Sequence, residues 1–133
     1  MNWEYISGFF DADGCITLTS THSGKNKTIQ ISFHNNEREI LESIQSFILQ
    51  EIEVKGHITI KRAKQDTHKD SYDLKYVYLN ALKVANNLIS KHPKKKRKIE
   101  LYNFIQEKTN RNGKYTEQEL QERRNLEEQF FQI

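Results

Sequence analysis

Cysteine, proline and long apolar runs are nearly absent from this chain. A single cysteine, Cys15, excludes an internal disulfide and suits a reducing compartment. No apolar stretch is long enough to span a membrane, and no signal peptide is expected. An intracellular protein is therefore expected, with composition leaving organellar, phage and prokaryotic origins open. The one proline, Pro93, is expected to mark a helix boundary. Charge of one sign is scarce too: 21 Lys and Arg against 18 Asp and Glu leave only +3. That balance permits a nucleic-acid partner without requiring one. The cationic side is concentrated in Lys94-Lys95-Lys96-Arg97-Lys98, a run that by itself reads as a localisation signal or a solvated segment. With 133 residues, 35% hydrophobic and 29% charged, the chain should fold as one domain, residues 1–133, around one core.

The stretch Ile6-Ser7-Gly8-Phe9-Phe10-Asp11-Ala12-Asp13-Gly14 stands out. Asn2 can cap a helix in which Trp3, Ile6 and Phe10 share one face. Tyr5, Gly8 and Ala12 share another, and small residues four apart let a second backbone come close. The helix runs into Asp11 and Asp13, and Gly14 ends it. A carboxylate at the tip of a buried helix is costly unless a cation faces it, and a divalent metal is the usual occupant. An EF-hand loop counted from Asp11 would need Gly at its sixth place and Glu at its twelfth. Ile16 and His22 stand there, so that reading fails. A plain Asp-Gly turn between two elements remains the structural alternative.

Past Gly14 the hydrophobic period becomes two. Ile16 and Leu18 alternate with Cys15, Thr17 and Thr19; a turn is expected over residues 22–26. Ile29, Ile31 and Phe33 then alternate with Thr28, Gln30, Ser32 and His34. Ile40, Leu41, Ile44, Phe47 and Ile48 form the clearest helical stripe. A second hairpin follows Gly56, with Thr59 and Lys61 on one strand and Ser71, Asp73 and Lys75 on the other facing away from Ile58, Ile60, Tyr72 and Leu74. A polar connection, expected to be mobile, spans 63–70. Leu82, Ala85, Leu88 and Ile89 mark a helix stopped before Pro93; Ile99, Tyr102 and Ile105 mark another. Asn112-Gly113 reads as a turn, and Thr116 with Glu119 as a capping box for a last helix. The order is α-β-β-α-β-β-α with two trailing helices. Four strands with one apolar face imply a single sheet backed by helices. Its other face carries groups that can pair with base edges in a major groove, although any antiparallel sheet has a solvated polar face.

Residues 6–14 resemble the motif that names the LAGLIDADG homing endonucleases, keeping Gly at the third place and Asp-Ala-Asp-Gly at the end. The resemblance implies an α+β, αββαββα fold over essentially the whole chain. It also implies a homodimer, since single-motif members pair through their motif helices, here through Tyr5, Gly8 and Ala12. The family's last acidic position binds the divalent metal, Mg²⁺ or Mn²⁺, and corresponds to Asp13, with the Ala12 carbonyl as a secondary contact. Asp11 is then a structural cap. The family's polar residue at the end of the second strand, often Gln, falls on Asn35, which is one methylene shorter; His34 and Asn36 are its nearest competitors. The family's basic residue near the water network falls on Lys95, with Lys94 and Lys96 open to the same role. The saddle-like sheet would meet double-stranded DNA through Thr17, Thr19, Thr28, Gln30, Ser32, His34, Thr59, Lys61, Ser71, Asp73 and Lys75, with Lys96 on phosphate. Cys15 shares that face and reads as inert. The implied activity is site-specific double-strand cleavage in intron homing, leaving 3′ overhangs. An intron RNA maturase, or a non-cleaving DNA-binding protein, is the alternative on the same fold. A plain basic RNA-binding domain would instead be monomeric and independent of metal.

Overall fold

Asn2 opens the first element as expected, its side-chain oxygen accepting from the Tyr5 amide at 2.8 Å. The computed structural model describes residues 1–20, 26–109 and 114–133. The elements are α1 (Trp3–Asp13), β1 (Gly14–Ser20), β2 (Lys27–Asn35), α2 (Arg38–Ile52), β3 (His57–Lys61), β4 (Ser71–Val77), α3 (Tyr78–Asn87), α4 (Pro93–Glu107) and α5 (Glu117–Gln132). This is the expected α+β order. The turns expected over 22–26 and at Asn112-Gly113 fall mostly or wholly outside the described residues.

The strands form one antiparallel sheet in the order β1-β2-β4-β3. One face buries Ile16, Leu18, Ile29, Ile31, Phe33, Leu74 and Tyr76. The helices cover that face with Ile6 and Phe10 of α1, Leu41, Ile44 and Ile48 of α2, Ala81, Val84 and Ala85 of α3, Tyr102 and Ile105 of α4, and Phe130 of α5. Aromatic edges lock α1 in place, with Phe10 on Phe33 at 5.8 Å and Trp3 on Phe47 at 5.5 Å between ring centroids. α5 is anchored differently. Arg123, almost fully buried, donates to the Lys27 carbonyl at 3.0 Å and the Thr109 hydroxyl at 2.7 Å, while Glu127 accepts from the Lys27 amide at 3.1 Å. The Thr116–Glu119 capping box starts this helix as expected.

Three details depart from the sequence pattern. α3 ends at Asn87, so Leu88 and Ile89 lie beyond it, and Ile89 is 54% exposed. The cause is tertiary: Ser7 accepts the Ile89 amide at 2.8 Å and Asp11 captures the Lys91 amide at 2.7 Å, drawing the segment along α1. The basic run is not a free segment but the opening of α4, which starts at Pro93 with His92 as its cap. β4 runs on to Val77, one residue past the last buried position, Tyr76. The 63–70 connection is tied at its base, where Asp70 accepts the Ala63 amide at 2.7 Å.

Candidate functional site

The end of α1 is built to hold Asp13 in the open. α1 passes directly into β1 at Gly14, where a side chain would be 2.3 Å from the Phe10 ring and 2.7 Å from its carbonyl. Only glycine lets the chain turn so tightly against Phe10. The two acids then take different roles. Asp11 accepts from the Ser90 hydroxyl at 2.5 Å and the Lys91 amide at 2.7 Å. It is a structural tie between α1 and the α3–α4 segment, in keeping with the cap role expected of it. Ser90 has no sequence signal of its own and is located only by the fold. Asp13 is exposed and, among the described residues, makes no hydrogen bond or ion pair.

Lys95 answers the helix end. Its ammonium donates to the carbonyls of Phe10, Asp11 and Gly14 at 2.7, 2.9 and 2.9 Å. The last turn of a helix leaves carbonyls unpaired and carries partial negative charge, so a half-buried cation is well placed there. Burial pushes the Lys95 ammonium below the ordinary lysine range; Asp11, Cys15 and Asp13 oppose that shift and Lys98 adds to it. Of the three lysines open to the role expected of Lys95, it is Lys95 that reaches this helix end, and its three protons are spent on backbone. That geometry ties the start of α4 to the α1–β1 junction. Lys95→Met is expected to lower unfolding free energy by about 2–3 kcal/mol, because the carbonyls lose a charged donor. Urea unfolding checks this; full stability with lost activity would return Lys95 to direct work on the substrate. The Ala12 carbonyl is not among the three that Lys95 takes.

A shallow depression beside Asp13 is lined by His34, Asn35, Asn36 and Ser71. Asn35 ends β2 as expected, and its side-chain oxygen accepts from the Glu37 amide at 2.8 Å. Its amide nitrogen has no partner among the described residues. His34 is held at both ring nitrogens: Nδ1 faces the Asp73 carboxylate and Nε2 lies 3.1 Å from the Ser32 hydroxyl. A carboxylate on Nδ1 fixes that nitrogen as the donor, leaving Nε2 to accept from Ser32 when the ring is neutral. His34 thus staples β2 to β4, and Ser32, 4% exposed, is covered beneath it. Both were expected to face a base edge; here their polar atoms pair with each other and with Asp73.

The sheet's outer face gathers the other strand positions into rows. Thr19 stands opposite Thr28, Thr17 opposite Gln30, and Gln30 opposite Val77. Cys15, Ser32, Lys75 and His57 form the next row, then His34, Asp73 and Thr59, with Lys61 opposite Ser71 at the end. Val77 and His57 belong to this face and were not singled out from sequence; continuing the strand alternation would have found both. Lys96 is not brought to it, lining instead the groove between α3 and α4.

On α1, Tyr5 is 48% exposed and Gly8 and Ala12 are exposed. Apart from the helix's own backbone, no atom of the described residues lies within 4 Å of where a Gly8 side chain would begin. Among the described residues no group of three or more His, Cys, Asp or Glu side chains could hold a metal. One carboxylate and one carbonyl still suit Mg²⁺, which keeps several waters and takes its remaining ligands from substrate phosphates. The donors fit such an ion at a site shared with other molecules. No helix among the described residues is long and apolar enough to cross a membrane.

Comparison with known proteins agrees with this geometry. No curated protein sequence matches the chain. Among solved structures, the archaeal intron-encoded homing endonuclease I-Vdi141I complexed with DNA is similar at TM-score 0.67 and 20% identity, over 98% of this chain and 82% of that one. The homing endonuclease I-GzeII in complex with its DNA target is similar at TM-score 0.64 and 18% identity, over 96% of this chain and 44% of that one. The LAGLIDADG meganuclease I-AabMI bound to uncleaved DNA is similar at TM-score 0.55 and 20% identity, over 85% of this chain and 41% of that one. The sequence profile of the LAGLIDADG-like domain matches residues 2–128. With the motif on α1, the sheet order and that profile in agreement over nearly its whole length, the chain belongs to the LAGLIDADG homing endonuclease family.

Proposed function

We propose that this chain is a site-specific homing endonuclease that works as a homodimer. It makes a double-strand break in a long pseudopalindromic DNA target by metal-dependent phosphodiester hydrolysis. The observation that carries the reading is Asp13, an exposed carboxylate with no hydrogen bond or ion pair among the described residues, at the end of a helix whose Gly8 and Ala12 are also exposed. Two such helices packed through Gly8 and Ala12 bring two Asp13 side chains together. Like charges that close repel unless a cation lies between them. Asp13 and the Ala12 carbonyl would hold a divalent ion, which supplies Lewis-acid activation of water and charge neutralisation at the scissile phosphate.

The remaining work falls to the chain's own groups. Lys95 fixes the helix end that aims Asp13, and the Asn35 amide nitrogen is available to orient water in the depression beside it. The outer face of the sheet supplies recognition. β2 has 9 residues, about 30 Å at the usual strand rise, or roughly nine base pairs. Two half-saddles then read roughly twenty base pairs. The relatives with DNA in their structures support a duplex as the partner. The alignment with I-GzeII and I-AabMI covers 44% and 41% of their lengths, which supports two copies of this chain as the working unit.

The test is cleavage of a randomised duplex library in Mg²⁺, in Ca²⁺ and without metal. Mg²⁺-dependent double-strand cuts at one long near-palindromic sequence are expected. Selection of a sequence that is never cut would show a binding protein on this fold. Neither selection nor cutting would point to intron RNA, the maturase reading.

A further inference from the structure

Val77 is the odd side chain on the reading face. It is 53% exposed, and the register sets it opposite Gln30, which itself stands opposite Thr17. Immediately after it, Tyr78 adopts a φ of 48°, a conformation that bulky side chains rarely accept. That kink ends β4 and starts α3, so Val77 closes its row with no following strand residue beside it. A lone exposed valine on an ordinary surface needs no explanation. Here it continues a row of groups suited to base edges. In the major groove thymine alone presents a methyl group, and Gln is suited to adenine in the same groove.

We infer that Val77 reads the 5-methyl group of a thymine next to the base contacted by Gln30. The inference rests on the proposed role of the sheet as the DNA interface. The position of that thymine follows from the strand. Val77 is four residues beyond Asp73 on β4, about 13 Å, or about four base pairs. Asp73 pairs with His34, whose ring lines the depression at Asp13, so Val77 lies on the outer side. The thymine therefore falls about four base pairs farther from the cleavage centre than the base nearest Asp73.

The experiment uses the target recovered from the library, with each thymine replaced in turn by deoxyuridine, which removes only the methyl. Affinity is measured for the full chain without divalent metal. One replacement in each half-site should weaken binding about fourfold, the effect of one buried methyl. The same replacement should be neutral for Val77→Ala and keep part of its effect for Val77→Thr, which retains one methyl on the same branch. Equal responses of wild type and Val77→Ala at every thymine overturn the inference. Gln30→Ala and Lys75→Ala serve as controls. If they shift base preference while Val77→Ala does not, the inference fails and the DNA-reading face stands. If none of the three shifts preference, the sheet is not the reading face and both fail.

Discussion

Asp13→Asn should leave a folded, dimeric protein that binds its target within a few-fold of wild type and cuts it at least about a thousandfold more slowly. The rate figure corresponds to about 4 kcal/mol of lost transition-state stabilisation, of the order expected when a charged metal ligand is removed. The folding half of the expectation comes from position. Asp13 makes no hydrogen bond or ion pair among the described residues, so its charge can be removed without orphaning a partner. It also sits at the negative end of α1, beside Asp11, where a carboxylate is unfavourable. Its attraction to the nearby Lys95 ammonium offsets that repulsion, so removing the charge should leave stability nearly unchanged, unlike removal of a hydrogen-bonded structural aspartate. Single-turnover cleavage, gel-shift affinity and thermal melting of the same preparation supply the three readouts. A melting temperature lowered by many degrees, or cleavage near the wild-type rate, would remove Asp13 from the proposed centre. Asp11→Asn offers the contrast: it weakens the hold on Ser90 and Lys91, so it should cost stability first.

Gly8→Leu should convert the proposed dimer to a well-folded monomer. Apart from the helix's own backbone, nothing among the described residues lies within 4 Å of a side chain started at Gly8, so the Cβ meets no clash there. Leucine also favours the helix interior over glycine by about 0.8 kcal/mol, so the isolated fold should gain rather than lose stability. Across a close helix-helix seam, by contrast, a leucine prevents the backbones from approaching. The dimer constant should rise by at least about a hundredfold, some 2.7 kcal/mol, and cleavage should disappear with it. Sedimentation velocity across a concentration series, beside urea unfolding, separates the two effects. An unchanged dimer would place the partner on another surface, and a wild-type monomer at high concentration would deny the homodimer altogether.

How much of this was legible in the residues varies with the kind of interaction. Strand alternation from Cys15 to Phe33 shows which face is buried, because a period of two fixes the side of every residue. The i, i+4, i+7 stripe of α2 does the same for a helix. The Asn2 cap and the Thr116–Glu119 box are local hydrogen bonds spanning three residues, so their partners are near in sequence and can be read there. The motif on α1 concentrates in a few residues a helix face, two acids and a terminating glycine, and it led directly to Asp13. α3 shows where such reading stops. Its apolar pattern continues through Leu88 and Ile89, yet the helix ends at Asn87 because Ser7 and Asp11, some eighty positions away, bind the next backbone amides.

By itself, then, the sequence determined the element order, the buried faces and the carboxylate at the helix tip, which rest on periodicity and on short-range chemistry, and its motif carried the resemblance to the family. Only the tertiary structure decided what each polar group does. It assigned Asp11 to Ser90 and Lys91, spent the Lys95 ammonium on three carbonyls of the α1–β1 junction, and tied both nitrogens of His34 to Ser32 and Asp73. It also left Asp13 and the Gly8 face uncovered. The reason is one of range. A run of five basic residues offers five equivalent charges to a reader of the sequence, and only folding brings a helix terminus within hydrogen-bonding distance of one of them.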